Sequence, residues 1–206
     1  TQVVEWAGQN NLAKFVVLNG VDKEHVNFDT ALASVRDSLG AAVTPLTIPV
    51  NAGPGFNLTL DQVDFMLDQF VRTEGDPEVV QFSGGEPTIH PDLMEMIQAA
   101  KDRGIRQIMV NTNGVRIARD DKFLDDLAKQ NPVIYFQFDG LRPETYLTIR
   151  GEDFLDMKLK ALDRLAEKGM DAVLVAAIER GVNTDEVGAI LKFGLEPPAV
   201  RGVVFQ

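Results

Sequence analysis

Apolar residues fall along this chain in short runs rich in Val and Ile, separated by longer stretches in which they recur every three or four positions. The runs suit β-strands and the stretches suit amphipathic helices. Their steady alternation predicts repeated βα units around a mostly parallel sheet. About seven strands are expected, at residues 15–19, 43–50, 79–83, 107–111, 133–139, 172–179 and 200–206. None alternates strictly between apolar and polar residues, so both faces of the sheet are expected to be covered. The fold class is therefore α/β, either a partial or closed (βα) barrel or an open doubly wound sheet.

Helical spacing covers residues 29–39, 59–73, 92–103, 121–130, 153–168 and 184–193. Thr59, with Gln62 three positions on, has the form of a capping box. Gly40, Gly104 and Gly169 stand where a helix ends in a left-handed residue. The stretch "NAGPGFN" (51–57) interrupts any regular element and marks a seam.

Charge narrows the partners. The 206 residues carry a formal net charge of −11, which opposes phosphate backbones and anionic membrane surfaces, so neither nucleic acid nor membrane is expected. No apolar run approaches the roughly 20 residues needed to cross a bilayer, and a cytoplasmic location is expected. A strand ending the chain at 200–206 would offer an edge for self-association. The sequence contains no cysteine, which excludes disulfides, thiolate metal sites, cysteine nucleophiles and ordinary iron–sulfur ligation. His25 and His90 lack the spacing of a histidine metal site, and no metal is expected.

Four strands end in polar, mostly glycine-containing turns: "SGGEP" (83–87), "NTNG" (111–114), "QFDG" (137–140) and "ERGVN" (179–183). In parallel α/β folds such turns converge on one rim, where ligands bind. After Ser83, Gly84 and Gly85 allow close backbone approach, and Glu86, fixed by Pro87, suits a ligand ammonium; Ser83 belongs to the same candidate cofactor site. The same glycines also serve simply to make a tight βα turn. Asn111, Asn113 and Asp139 suit ribose hydroxyls, or cap helices. His90 suits acid–base work or a structural hydrogen bond. Arg150 suits a carboxylate or phosphate clamp, or a salt bridge to a rim acid such as Glu152. Asp120, Asp121, Asp125 and Asp126 fit the positive end of a helix better than a cation site.

The motifs "VVQFSGGEPTIHPDL", "IMVNTNGVRIARD", "VIYFQFDGLRPETYLTIRG", "LVAAIERGVN" and "VRGVVFQ", in that order over residues 57–206, resemble radical S-adenosylmethionine enzymes of the radical-methyltransferase-like and tetraether-lipid-synthase-like branch. The resemblance implies a partial (βα)6 barrel in which the "GGE" motif, here Gly84, Gly85 and Glu86, binds the methionine amino group of the cofactor. It implies that Asp139 and Glu179 line the ribose and adenine end. The family's CxxxCxxC loop, which holds a [4Fe–4S] cluster, is not in this sequence.

Residues 1–56 resemble a fragment of the elongation factor G GTPase domain, where "NGVD" (19–22) matches a guanine-reading NKxD motif through Asn19 and Asp22. Gly20 replaces its lysine, and no GxxxxGK[ST] loop is present, so GTP binding is not expected. A turn with Asp22 capping the next helix is the local alternative. Taken together, the two resemblances lead to the expectation of an engineered, cysteine-free chimera acting as a scaffold, with no cofactor, no metal and no catalysis. The alternatives are a module that still binds S-adenosylmethionine or a nucleoside weakly, or a natural cluster-independent enzyme using acid–base groups at the rim.

Overall fold

Helix α1, Leu60–Glu74, begins where the capping box predicts. Thr59 accepts a hydrogen bond from the Gln62 backbone, and the Gln62 side chain accepts one from Thr59 N at 2.9 Å. The computed structural model describes residues 59–206, strand β1 (Thr47–Pro49) and the helical residues 30, 33–35 and 37. The expected strand at 15–19, the seam at 51–57, and Asn19 and Asp22 lie outside the described residues.

After α1 come β2 (Val79–Ser83), a 3-10 turn (Pro87–Ile89), α2 (Leu93–Asp102) and β3 (Gln107–Thr112). The chain continues through α3 (Val115–Arg119), α4 (Asp121–Gln130) and β4 (Val133–Gln137). It ends with α5 (Pro143–Arg150), α6 (Leu155–Glu167), β5 (Ala172–Ala176), α7 (Val187–Phe193) and β6 (Val200–Phe205). Gly104 and Gly169 adopt φ of 79° and 66°, the left-handed torsion expected of them.

The described strands form one six-stranded sheet, ordered β1-β2-β3-β4-β5-β6, and each neighbouring pair is parallel. Seven strands are thus not found among the described residues. A doubly wound sheet reverses its strand order at a switch point, and this order never reverses. Right-handed crossovers that always advance in one direction put all their helices on one face, the arrangement of a barrel wall.

That face is the core. Val80 and Phe82, Ile108 and Val110, and Ile134 and Phe136 are buried beneath Val63, Leu67, Met96, Ile97, Leu124 and Leu162. The intervening residues Gln81, Met109, Asn111, Tyr135 and Gln137 are only half-buried. Burial therefore alternates along these strands: the side under the helices is fully buried and the other side half-buried, so the two faces are covered unequally.

Candidate functional site

Past Ser83 the chain turns through Gly84 (φ 104°) and Gly85 (φ 52°), both positive torsions that L side chains rarely adopt. This turn delivers Glu86 to the carboxyl end of β3. Glu86 Oε1 accepts from the Thr88 backbone at 3.1 Å, the Thr88 hydroxyl at 2.6 Å and the Thr112 hydroxyl at 2.6 Å. Its Oε2 accepts from Asn113 N at 2.7 Å. One carboxylate thus ties the turn after β2 to the turn after β3.

Asp139, just past β4, is wholly buried and takes a bidentate pair from Arg150, with Nε to Oδ2 at 2.8 Å and a second guanidinium nitrogen to Oδ1 at 2.9 Å. Oδ1 also accepts from Ala177 N at 3.1 Å. The expected alternative partner for Arg150, Glu152, is replaced by Asp139. Asn183 completes the link, donating to the Asp139 and Ala177 carbonyls at 2.7 and 2.8 Å while accepting from Glu179 N at 2.8 Å. Buried Glu186 accepts from Leu141 N at 2.6 Å and from the Thr145 hydroxyl, so the "ERGVN" turn and the helix after it clamp the end of β4.

Lys158 of α6 is 1% exposed, and its ammonium donates to the Asn113 carbonyl at 2.6 Å and to Gln137 Oε1 at 3.3 Å. Burial lowers its pKa from 10.5 to about 8, against the favourable field of Asp139 and Glu86 and with the opposing field of Arg150. Below pH 8 both the folded and unfolded chains hold the Lys158 proton and the burial cost is fully present. Between about 8 and 10.5 the folded state sheds it first, so stability rises with pH. Denaturant titrations at pH 7 and 10 are expected to show wild type gaining on the order of 2–3 kcal/mol more than Lys158→Met; equal gains would exclude a buried charge here.

Glu86, Lys158 and Arg150 line a cavity of about 310 Å³ together with Gly85, Asn111, Thr112, Asn113, Val115, Gln137, Phe154 and Met157. Of the residues picked out from the sequence, Gly85, Glu86, Asn111, Asn113 and Arg150 meet there. Ser83 and Gly84 lead into the turn without lining the cavity, and Asp139 stands behind Arg150. Glu179 is exposed and does not line it. Asn113 also caps, its Oδ1 accepting from Val115 N at 2.9 Å.

Sequence reasoning does not single out Lys158, and reaches Gln137 only as the first residue of the "QFDG" turn. Lys158 interrupts the apolar stripe of Ala161, Leu162 and Leu165, and that stripe was the available signal. His90, buried, accepts from Asp92 N at Nδ1 (3.1 Å) and lines a separate cavity of about 180 Å³ with Arg116 and Asp120. The acidic run is paired off, Asp120 with Arg116, Asp121 with Arg164, Asp125 with Lys168 and Asp126 with Lys129. Among the described residues no group of three or more His, Cys, Asp or Glu is placed to hold a metal ion, and no helix is long and apolar enough to cross a membrane.

Residues 42–194 match the family model of the Radical SAM superfamily. The chain is 34% identical over 158 residues to the 7,8-dihydro-6-hydroxymethylpterin dimethyltransferase of Methanocaldococcus jannaschii, covering 75% of this chain and 31% of that protein. It is 31% identical to a probable GTP 3',8-cyclase of Methanothermobacter thermautotrophicus, covering 67% and 46%. The chain thus spans less than half the length of either relative. Among solved structures it resembles native anSMEcpe with bound AdoMet and Cp18Cys peptide (TM-score 0.57, 15% identity, 73% of this chain and 44% of that one). It also resembles Streptococcus suis SuiB bound to S-adenosylmethionine (TM-score 0.51, 20% identity, 62% and 29%).

These matches correct three expectations. The family match starts at residue 42, inside the segment assigned to an elongation-factor fragment, and β1 pairs with β2 in the same parallel sheet. Nothing supports an elongation-factor fragment or an engineered chimera. The relatives are natural proteins named as enzymes, against an inert scaffold, and the family and both solved structures are named with S-adenosylmethionine, against the expectation of no cofactor. The expectation of a chimera rests on the missing CxxxCxxC loop and the local likeness of residues 1–56, and neither outweighs a family match that begins at residue 42.

Proposed function

We propose, for a chain that belongs to the Radical SAM superfamily, that the rim cavity binds S-adenosylmethionine by its methionine end. The observation that carries this reading is the pairing of opposite charges in one small cavity. Glu86 supplies a fixed carboxylate, Arg150 and Lys158 supply cations, and Asn113 and Gln137 supply amides. An amino-acid zwitterion needs both signs at once. A cavity near 310 Å³ lies at the lower end of small-molecule sites.

When bound, S-adenosylmethionine supplies an activated carbon–sulfur bond at its sulfonium. The chain's own residues bind and orient it: Glu86 receives the ammonium, Arg150 and Lys158 receive the carboxylate, and Phe154, Met157 and Val115 provide apolar wall. Because Glu86 is held by four donors, it is set before the ligand arrives, which lowers the cost of ordering the site.

The family's iron–sulfur cluster does not fit this sequence, which lacks the thiolates that would hold it. The cavity is the cofactor-binding part of a natural radical SAM enzyme.

Calorimetric titration with S-adenosylmethionine tests it. Saturable binding is expected for wild type, and Glu86→Gln is expected to bind at least about 30-fold more weakly, since a charged hydrogen bond to the ammonium is lost and an amide N–H faces Asn113 N–H. Thermal melts of both proteins separate lost affinity from lost fold. No saturable heat from folded wild type at millimolar ligand overturns the reading.

A further inference from the structure

Glu186, the N-cap residue of α7, is 5% exposed and does not line the rim cavity. A carboxylate that deep is costly unless it is well partnered, and its partners all lie on one segment of the chain. Oε2 accepts from Leu141 N at 2.6 Å, Oε1 accepts from the Thr145 hydroxyl, and Arg142 Nε stands 3.2 Å from Oε1. Neighbouring Asp185 grips Arg142 as well, accepting from its guanidinium at 2.8 and 2.9 Å. The fit is close: a methyl group built on Gly140 would stand 2.8 Å from Glu186 Oε1.

The gripped segment is the one whose ends form the pair of Asp139 and Arg150. Asp139 stands just before Gly140, and Arg150 is the last residue of α5, so their bidentate pairing closes residues 139–150 into a loop. Tyr146 fastens that loop from within, donating its hydroxyl to the Gly140 carbonyl at 2.9 Å. Asn183, whose carbonyl accepts from Glu186 N, holds the Asp139 carbonyl at 2.7 Å. The turn at 183–186 thus fixes both the place of Asp139 and the start of α5, while Arg150 alone of this set reaches the cavity.

We propose that Glu186 is a positioning residue for this cavity, acting through Arg150 by anchoring the start of α5 so that the guanidinium faces the ligand while paired to Asp139. This rests on the reading that the cavity holds S-adenosylmethionine. The Asp139 pair ties down one end of α5 and leaves the helix free to swing about it. Two charge-assisted hydrogen bonds and an ion pair to Glu186 at the other end remove that freedom. Arg150 is then set before the ligand arrives, and binding has less ordering to supply.

Calorimetry with S-adenosylmethionine on Glu186→Gln, which keeps the shape and removes the charge, is expected to show binding about 3- to 30-fold weaker than wild type. In the Asp139→Asn/Arg150→Met double variant no guanidinium remains to be aimed. Adding Glu186→Gln there is expected to change affinity by less than about twofold. A purely structural role weakens both backgrounds alike, so equal losses overturn the inference, as does unchanged affinity of Glu186→Gln in the wild-type background. Where the combined variant fails to fold or to bind measurably, the NMR resonance of the Arg150 Nε–H in the ligand-free proteins decides. It is expected to shift and to exchange with solvent at least about threefold faster in Glu186→Gln than in wild type, and an unmoved resonance overturns the inference. Should Glu186→Gln itself not fold, Thr145→Val removes one donor to the same carboxylate and is read in the same two ways, with the same outcomes deciding. All of these failures leave cofactor binding standing. Failure of folded wild type to bind S-adenosylmethionine overturns the cofactor reading and this inference with it.

Discussion

Gly114→Ala is expected to cost about 3–5 kcal/mol of folding stability, enough to unfold much of the protein at moderate temperature. Gly114 opens α3 at φ 77°, and a methyl group built there would sit 2.1 Å from Cε2 of Phe136. Phe136 is wholly buried on β4 and cannot give way without disturbing the core and the ring beside Lys158. The left-handed torsion adds roughly 1–2 kcal/mol for any L residue. Gly104 provides the control: at φ 79° with nothing within 4 Å of an added methyl, Gly104→Ala carries the torsional penalty alone. Chemical denaturation of the two variants should separate them by about 2 kcal/mol or more; matching losses would mean that Phe136 does not confine this turn.

Arg150→Met is expected to cost about 3–5 kcal/mol, the penalty of stranding a buried charge. Its guanidinium holds both oxygens of Asp139, which has no exposure of its own and keeps one backbone donor, Ala177 N, when Arg150 is gone. The side chain also lines the cavity, so S-adenosylmethionine affinity should fall with stability. Adding Asp139→Asn to Arg150→Met removes the stranded charge and keeps an oxygen facing Ala177 N. The double variant should therefore be more stable than Arg150→Met alone while binding no better. A double variant no more stable than the single one would show that the pair contributes through packing, not charge.

The fold was legible wherever local signals agreed. The capping box at Thr59, the strand at Val79–Ser83 and the helix at Asp121–Gln130 stand where periodicity placed them. Two short helices, Val115–Arg119 and Pro143–Arg150, were not anticipated, because neither is long enough to display a clear apolar stripe. Glu86 was legible from a glycine turn closed by proline, although its role in joining two turns depends on Thr112 and Asn113 far along the chain. Asp139 was noticed for its place at a strand end, yet the structure turns it inward and offers Arg150 to the cavity instead. Lys158 was passed over because a lysine among apolar residues reads as a solvated interruption. Only the packing of α6 over the end of β4 gives it neutral acceptors and a buried ammonium.

The unreversed strand order also bears on how the chain folds. Val79 pairs with Gln107 and Met109 with Val133, so each partner lies a single βα unit away along the backbone. Loop closure for such neighbours costs little entropy, and contacts of short sequence separation form quickly. No strand from β1 to β6 waits for a distant segment to complete its pairing. A nascent chain can therefore lay down the wall strand by strand as it emerges from the ribosome, with each new unit templated on the edge left by the one before.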